Sequence, residues 1–162
     1  MCNLFRLSQH CPNLNLTVCL LNMHSLRKHC IDIKHDVSLT ECDILALTET
    51  QLSTHDSSTG IREIPQPYTL HRQDHPSDKY SSLATCNKGN IHILENQYFS
   101  AINGLMFDVL NSITNRGITT LLVYRKNNSN IMQYINHLSN ILQIHTTDII
   151  QGDLNINYFK EL

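Results

Sequence analysis

The chain has 162 residues, 41% of them hydrophobic and 16% charged, with five glycines and four prolines. That composition excludes collagenous, coiled-coil and broadly disordered architectures and suits one domain, whose core at this size needs no covalent staples. Twelve Lys and Arg against 14 Asp and Glu give a formal charge of -2, which excludes a broad basic nucleic-acid footprint, so any phosphate recognition has to be local.

Ten histidines mean that a modest fall in pH turns the chain net positive. Cys2, Cys11, Cys19, Cys30, Cys42 and Cys86 form no C-x-x-C, and the first six residues hold no apolar signal stretch. The expectation is reduced thiols in a cytoplasmic or nuclear protein that is not secreted. No segment approaches the roughly 18 apolar residues of a membrane span, so no membrane association is expected.

Residues 1–15 have no hydrophobic period and are expected to form a poorly structured leader to a single domain over 16–162. LTVCLLN (16–22) reads as a buried strand. Ser25 then caps a helix predicted over 25–39, with Leu26, Cys30, Ile33 and Val37 on one face and Lys28, Asp32 and Asp36 on the other. DILALT (43–48) is a second buried strand, completing a βαβ unit with parallel strands.

A polar loop (50–66) leads into the strand YTLHR (68–72) and a turn at 74–78. Strands follow at 81–86 and 90–94, with Asn87-Lys88-Gly89 reading as a hairpin turn between them. Residues 98–110 fit two periods. Tyr98, Ala101, Ile102, Leu105 and Val109 slightly favour a helix, whereas Leu105, Phe107 and Val109 alternate as in a strand.

ITTLLVY (118–124) is a clear strand, and Ser129 caps a helix predicted over 130–144 with Ile131, Tyr134, Ile135, Leu138, Ile141 and Leu142 on its apolar face. TTDIIQ (146–151) runs into Gly152-Asp153-Leu154-Asn155, and no internal repeat is visible. The order of elements predicts α/β layers whose sheets contain both parallel and antiparallel pairs.

Four of these strands end in polar residues: Asn22, Glu49, Tyr124 and the Asp153/Asn155 pair. Ligands in α/β sheets gather outside the carboxyl ends of strands, so these groups are candidates for one site. Two carboxylates, two amides and a phenol are hard-oxygen chemistry suited to Mg²⁺ (or Mn²⁺) beside a phosphate. A zinc reading of His71 and His75, or of His29 and Cys30, lacks the second ligand pair that zinc requires. Taken alone, Gly-Asp-Leu-Asn is an ordinary turn, and Arg72, Arg125 and Lys126 are ordinary loop charges.

LLNMHSL (20–26), DILALTETQL (43–52), LLVYRKNN (121–128) and DIIQGDLNIN (148–157) occur in the order seen in the endonuclease/exonuclease/phosphatase, or DNase I-like, family. With these motifs the chain resembles the endonuclease domains of non-LTR retrotransposons over residues 16–160. The resemblance implies an α/β mixed-sheet sandwich with helices on its outer faces, and implies that residues 98–110 are at least partly strand. It implies Glu49 as the main metal ligand and Asn22 as the residue orienting the metal site. By the same resemblance Asp153 positions or deprotonates the attacking water, Asn155 holds the scissile phosphate and Tyr124 contacts it, with Arg72 and Arg125 as candidate nucleic-acid contacts.

The departures matter as well. The family's Ser-Asp-His segment does not follow residue 157, Gln51 stands where Trp is usual, and His24 stands where Arg is usual. The expectation is therefore a fold incomplete at its C-terminus, without its closing strands. As given, the chain reads as a truncated or degenerate Mg²⁺-dependent phosphodiesterase of mobile-element origin. Its expected partners are nucleic acid, DNA favoured over RNA, and a protein covering the open sheet edge. The alternative is a non-catalytic nucleic-acid-binding or interaction module on the same fold.

Overall fold

The computed structural model describes residues 6–11, 16–53, 55, 68–75, 78, 82–89, 91–111 and 116–156. The first sheet contains β1 (Arg6–Cys11), β2 (Leu16–Asn22), β3 (Ile44–Thr48), β4 (Thr69–Gln73) and β5 (Leu83–Asn87), in the order β1-β2-β3-β5-β4. The second contains β6 (Ile91–Phe99), β7 (Gly104–Asn111), β8 (Arg116–Tyr124) and β9 (Ile149–Asp153), in that order. Helices α1 (Leu26–His35) and α2 (Val37–Thr40) connect β2 to β3, and α3 (Ile131–Ile144) connects β8 to β9.

Among the described residues only β2 with β3 and β8 with β9 pair in parallel, and the other pairings are antiparallel. A parallel pair needs a crossover, and both crossovers are helices, so the molecule is built on two βαβ units. The same device closes each unit. Thr17 N–H donates to the Asp43 carboxylate at 2.8 Å and Asp43 N–H to the Thr17 carbonyl at 2.9 Å. Thr119 and Asp148 make the equivalent bonds at 2.7 and 2.9 Å. Each aspartate directly precedes the second strand of its unit, a structural repetition that the dissimilar intervening residues hide in the sequence.

Pleat alternation sorts the apolar residues into three packed layers. Leu16, Val18, Leu20, Ile44, Ala46, Leu105, Phe107, Val109, Leu122 and Tyr124 meet between the sheets. Cys19, Leu21, Leu45 and Leu47, on the opposite face of the first sheet, pack with Leu26, Ile33 and Leu39 of α1 and α2. Met106, Leu121 and Val123 pack with Tyr134 and with Leu138, Ile141 and Leu142 of α3. Strands covered on both faces read as continuous apolar runs, which explains the legibility of LTVCLLN and DILALT. Burial of a side chain such as Phe107, 1% exposed, contributes roughly 1.5–3 kcal/mol.

Several expectations require correction. Residues 6–11 are not an unstructured leader; they pair antiparallel with Leu16 to Leu21 of β2, while 1–5 and 12–15 lie outside the described residues. The helix predicted over 25–39 breaks at Asp36, whose extended backbone ends α1 and whose side chain caps α2 by accepting from Ser38 N–H. Ser25 occupies the N-cap position of α1 without a side-chain cap bond. The cap of α3 is Asn130, accepting from Gln133 N–H at 3.0 Å, not Ser129. Asn87-Lys88-Gly89 is no hairpin, because β5 pairs with β3 and β4 whereas β6 opens the second sheet. Residues 98–110 are the end of β6, a turn and most of β7, so the alternation outweighs the helical period.

Among the described residues no helix is long and apolar enough to cross a membrane.

Candidate active site

The two βαβ units face each other, β2 against β9 and β3 against β8. The carboxyl ends of all four parallel strands therefore open at the same end of the sandwich. Asn22 ends β2 in register with Thr48, and Asp153 ends β9 in register with Tyr124. Asn22 has the parity of Val18 and Leu20, and Tyr124 that of Leu122, so the pleat aims both side chains between the sheets. Glu49 has the parity of Leu45 and Leu47 and would continue onto the outer face. Its φ of 51° breaks the extended run and turns the carboxylate inward.

The result is one hydrogen-bonded network. The Asn22 Nδ2 amide donates to Glu49 Oε1 at 3.0 Å and to Asp153 Oδ2 at 2.7 Å. The Tyr124 hydroxyl donates to the same Glu49 Oε1 at 2.9 Å. His24 Nδ1 lies 2.7 Å from Glu49 Oε2. Asp153 Oδ1 accepts from the Asn155 backbone N–H at 3.0 Å, and Asn155 Nδ2 donates to the Arg125 carbonyl at 2.7 Å. Glu49 is 9% exposed and Tyr124 6%, so the Glu49 carboxylate is largely withdrawn from water and depends on these donors, while Asp153 is partly exposed. Burial pushes the Tyr124 phenol above its ordinary range, reinforced by its bond to Glu49 and by the charges of Glu49, Asp153 and Asp78.

Backbone strain gathers around this network. Among the described residues the non-glycine positions with positive φ are His24, Ser25, Glu49, Gln51, Asn103 and Asn155. All but Asn103 stand just beyond the ends of β2, β3 or β9, and the Asn103 carbonyl accepts from Tyr124 N–H at 3.2 Å. Such conformations cost of order 1–3 kcal/mol each and concentrate where a constellation is held for function. Backbone bonds between the two loops help to hold them: Ser25 N–H donates to the Glu49 carbonyl at 3.1 Å and Leu26 N–H to that of Thr50 at 2.8 Å.

The structure thus brings together Asn22, Glu49, Tyr124, Asp153 and Asn155. The two arginines named from the sequence are engaged differently. Arg125 is 5% exposed, and its guanidinium donates to the carbonyls of Leu154, Ser129 and Asn155 at 2.6, 2.7 and 2.6 Å. It is a brace for the Asp153–Asn155 turn. Arg72 Nη2 bonds the Ser53 carbonyl at 3.1 Å and the Asp74 carboxylate at 2.7 Å, fastening the loop after β3 to β4.

His24 is the participant that sequence reasoning misses. Its signal is position alone, two residues beyond Asn22 in the same loop. Ser82 is also missed: its carbonyl accepts from Thr50 N–H at 3.1 Å and its hydroxyl donates to the Leu52 carbonyl at 2.7 Å, bracing the segment after Glu49.

No protein-family model and no curated protein sequence matches the chain. Solved structures do. The human Nocturnin catalytic domain with bound sulfate superposes with a TM-score of 0.64 at 13% identity, over 94% of this chain and 68% of that one. A humanized D. rerio TDP2 gives 0.62 at 13% identity, over 88% and 63%. An endonuclease/exonuclease/phosphatase family protein from Bacteroides thetaiotaomicron gives 0.64 at 11%, over 97% and 67%.

The chain has the endonuclease/exonuclease/phosphatase fold. The expected mixed-sheet α/β sandwich with outer helices is what the structure contains, and the chain spans about two thirds of these solved chains. In this fold's setting, Glu49 and Asp153 present carboxylate oxygens on either side of the Asn22 amide nitrogen. Among the described residues no three His, Cys, Asp or Glu side chains group closely enough to hold a metal ion. One carboxylate with an amide beside it suits only a divalent ion that keeps most of its water.

Proposed function

We propose that this domain carries the carboxylate half of a divalent-metal phosphodiesterase centre acting on nucleic acid, of mobile-element endonuclease descent and with DNA preferred to RNA. The observation that carries the reading is the joining of Glu49 and Asp153, from opposite sheets, through the single Asn22 amide, with Tyr124 on Glu49. Two acidic groups brought together at strand ends at a cost in backbone strain suit charge chemistry better than stability. A D. rerio TDP2 structure complexed with a single-strand DNA product superposes with a TM-score of 0.58 at 12% identity, over 83% of this chain and 56% of that one. That likeness supports a nucleic-acid substrate.

Glu49 would hold Mg²⁺ or Mn²⁺, with Asn22 beside it, and the bound ion supplies charge neutralisation at the phosphoryl oxygens. Asp153, fixed by Asn22 and the Asn155 N–H, orients and deprotonates the attacking water. Asn155, tethered to the Arg125 carbonyl through its amide nitrogen, would hold the scissile phosphate. Tyr124, buried and bonded to Glu49, sets the angle of that carboxylate. The chain contains no Ser-Asp-His segment, so the 162-residue polypeptide by itself should turn over slowly, since lost charge stabilisation typically costs several kcal/mol.

The test is nicking of supercoiled plasmid with Mg²⁺ or Mn²⁺ by the chain, by a version extended with a Ser-Asp-His-bearing C-terminal segment, and by Glu49→Gln in both. Nicking by the extended form that Glu49→Gln abolishes is the expected result. Nicking that survives Glu49→Gln would remove the site assignment. Metal-independent DNA binding, unaffected by Glu49→Gln and without cleavage in either form, would favour the binding-module reading.

A further inference from the structure

We infer that His24 is itself a ligand of this metal centre and tilts its selectivity from Mg²⁺ toward transition ions such as Mn²⁺; the inference rests on the metal reading above. Glu49 Oε1 is already engaged by two donors, Asn22 Nδ2 and the Tyr124 hydroxyl. Oε2 is therefore the oxygen left for an ion, and Oε2 is the atom 2.7 Å from His24 Nδ1. The His24 backbone N–H also donates to Asn22 Oδ1 at 3.3 Å, holding that amide oxygen toward the same loop. An imidazole nitrogen from position 24 and a carboxylate oxygen from position 49 thus meet, with the Asn22 amide oxygen held on the His24 backbone.

Ligands about 2.1 Å from an ion at neighbouring positions stand roughly 3 Å from each other. The His24–Glu49 separation is close to that already, and the His24 side chain is 57% exposed. A small rotation of this exposed ring admits the ion in place of the hydrogen the two atoms share. Mg²⁺ takes oxygen ligands and gives up water reluctantly, whereas first-row transition ions accept an imidazole nitrogen, Mn²⁺ the most weakly of them. Replacing one water by His24 therefore strengthens Mn²⁺ binding and leaves Mg²⁺ binding nearly as it was.

The test is Mn²⁺ titration of the full chain by electron paramagnetic resonance, pulsed measurement of nitrogen-14 coupling to the bound ion, and competition with Mg²⁺. The proteins are the unaltered chain, His24→Asn and Glu49→Gln. Asparagine tolerates the φ of 44° at this position, and circular dichroism confirms the variant is folded. The expected result is directly coordinated nitrogen in the unaltered chain. In His24→Asn the coupling disappears and Mn²⁺ affinity falls about tenfold or more, with Mg²⁺ affinity little changed. Glu49-dependent Mn²⁺ binding without nitrogen coupling, and with equal affinity in His24→Asn, would overturn the role of His24 while leaving the metal centre in place. Absence of any Glu49-dependent ion binding would overturn both.

Discussion

Asn22 and Asp153 stand 131 positions apart in the chain and are joined by a 2.7 Å hydrogen bond from Nδ2 to Oδ2. The same nitrogen reaches Glu49, so one amide separates two carboxylates supplied by different sheets. The bond exists because each βαβ unit ends at the same edge, which makes the site a consequence of topology rather than of any one motif.

Asn22→Ala should therefore act as a stability mutation as well as a site mutation. It leaves the buried Glu49 carboxylate and the partly exposed Asp153 carboxylate facing each other without their shared donor, and a loss of about 1–3 kcal/mol is expected. Asn22→Asp should cost more at neutral pH, since it adds a third charge. Urea unfolding of the three proteins measures this, and an unchanged midpoint for Asn22→Ala would show that the bridge contributes nothing.

Gly152 holds the second unit together by being small. A Cβ at this position would lie 1.9 Å from the Val123 carbonyl oxygen and 2.7 Å from its carbon, both backbone atoms that cannot swing aside. Gly152→Ala should push β9 off β8, cost about 3 kcal/mol or more, and displace Asp153 from Asn22. Amide chemical shifts of Val123, Tyr124 and Asp153 should move together, whereas changes confined to the mutated position would contradict the close approach.

Arg125→Lys separates bracing from nucleic-acid contact. A lysine ammonium cannot reproduce a fork that serves three carbonyls, so a loss of about 2 kcal/mol is expected. The salt dependence of DNA binding, measured well below the unfolding temperature, should keep its slope, because a buried guanidinium neutralises no phosphate. A shallower slope in the variant would return Arg125 to the contact surface.

What the sequence made legible follows from burial. β2, β3 and β8 are interior strands of their sheets, and their runs of apolar residues announce them together with the polar residues at their ends, whereas β9, the last strand of its sheet and only partly buried, is marked by Ile149 and Ile150 ahead of Gly152-Asp153. β1 pairs at the outer edge of its sheet, and RLSQHC carries no hydrophobic alternation to betray it. The Asn87-Lys88-Gly89 segment has turn residues, but turn residues do not say which sheet the next strand joins. Arg125 looked like a loop charge because its partners are carbonyls, which every residue has and no sequence pattern reveals. His24 was hidden for a related reason: its contact depends on left-handed backbone at 24 and at Glu49, conformations uncommon for either residue type.

The buried phenols set the alkaline limit. Burial raises the pKa of Tyr124, as do its bond to Glu49 and the neighbouring carboxylates, and burial likewise raises that of Tyr134, partly offset by the charge of Arg125. The unfolded value is about 10. A folded pKa above the unfolded one means that the contribution is present in full below about pH 10 and is lost as pH rises from there toward the folded value, because the unfolded chain then releases protons that the folded chain keeps. Stability should accordingly decline above about pH 10 with a slope approaching one proton for each of the two tyrosines. Tyr124→Phe removes one of those protons and should show the shallower decline, at the cost of about 1 kcal/mol at neutral pH from the lost bond to Glu49. Urea unfolding between pH 8 and 11, with phenolate absorbance followed in the folded protein, measures both quantities. An alkaline decline equally steep in Tyr124→Phe would mean that the Tyr124 phenol ionises as readily in the folded chain as in the unfolded one, and its bond to Glu49 could not then be what holds that carboxylate in place.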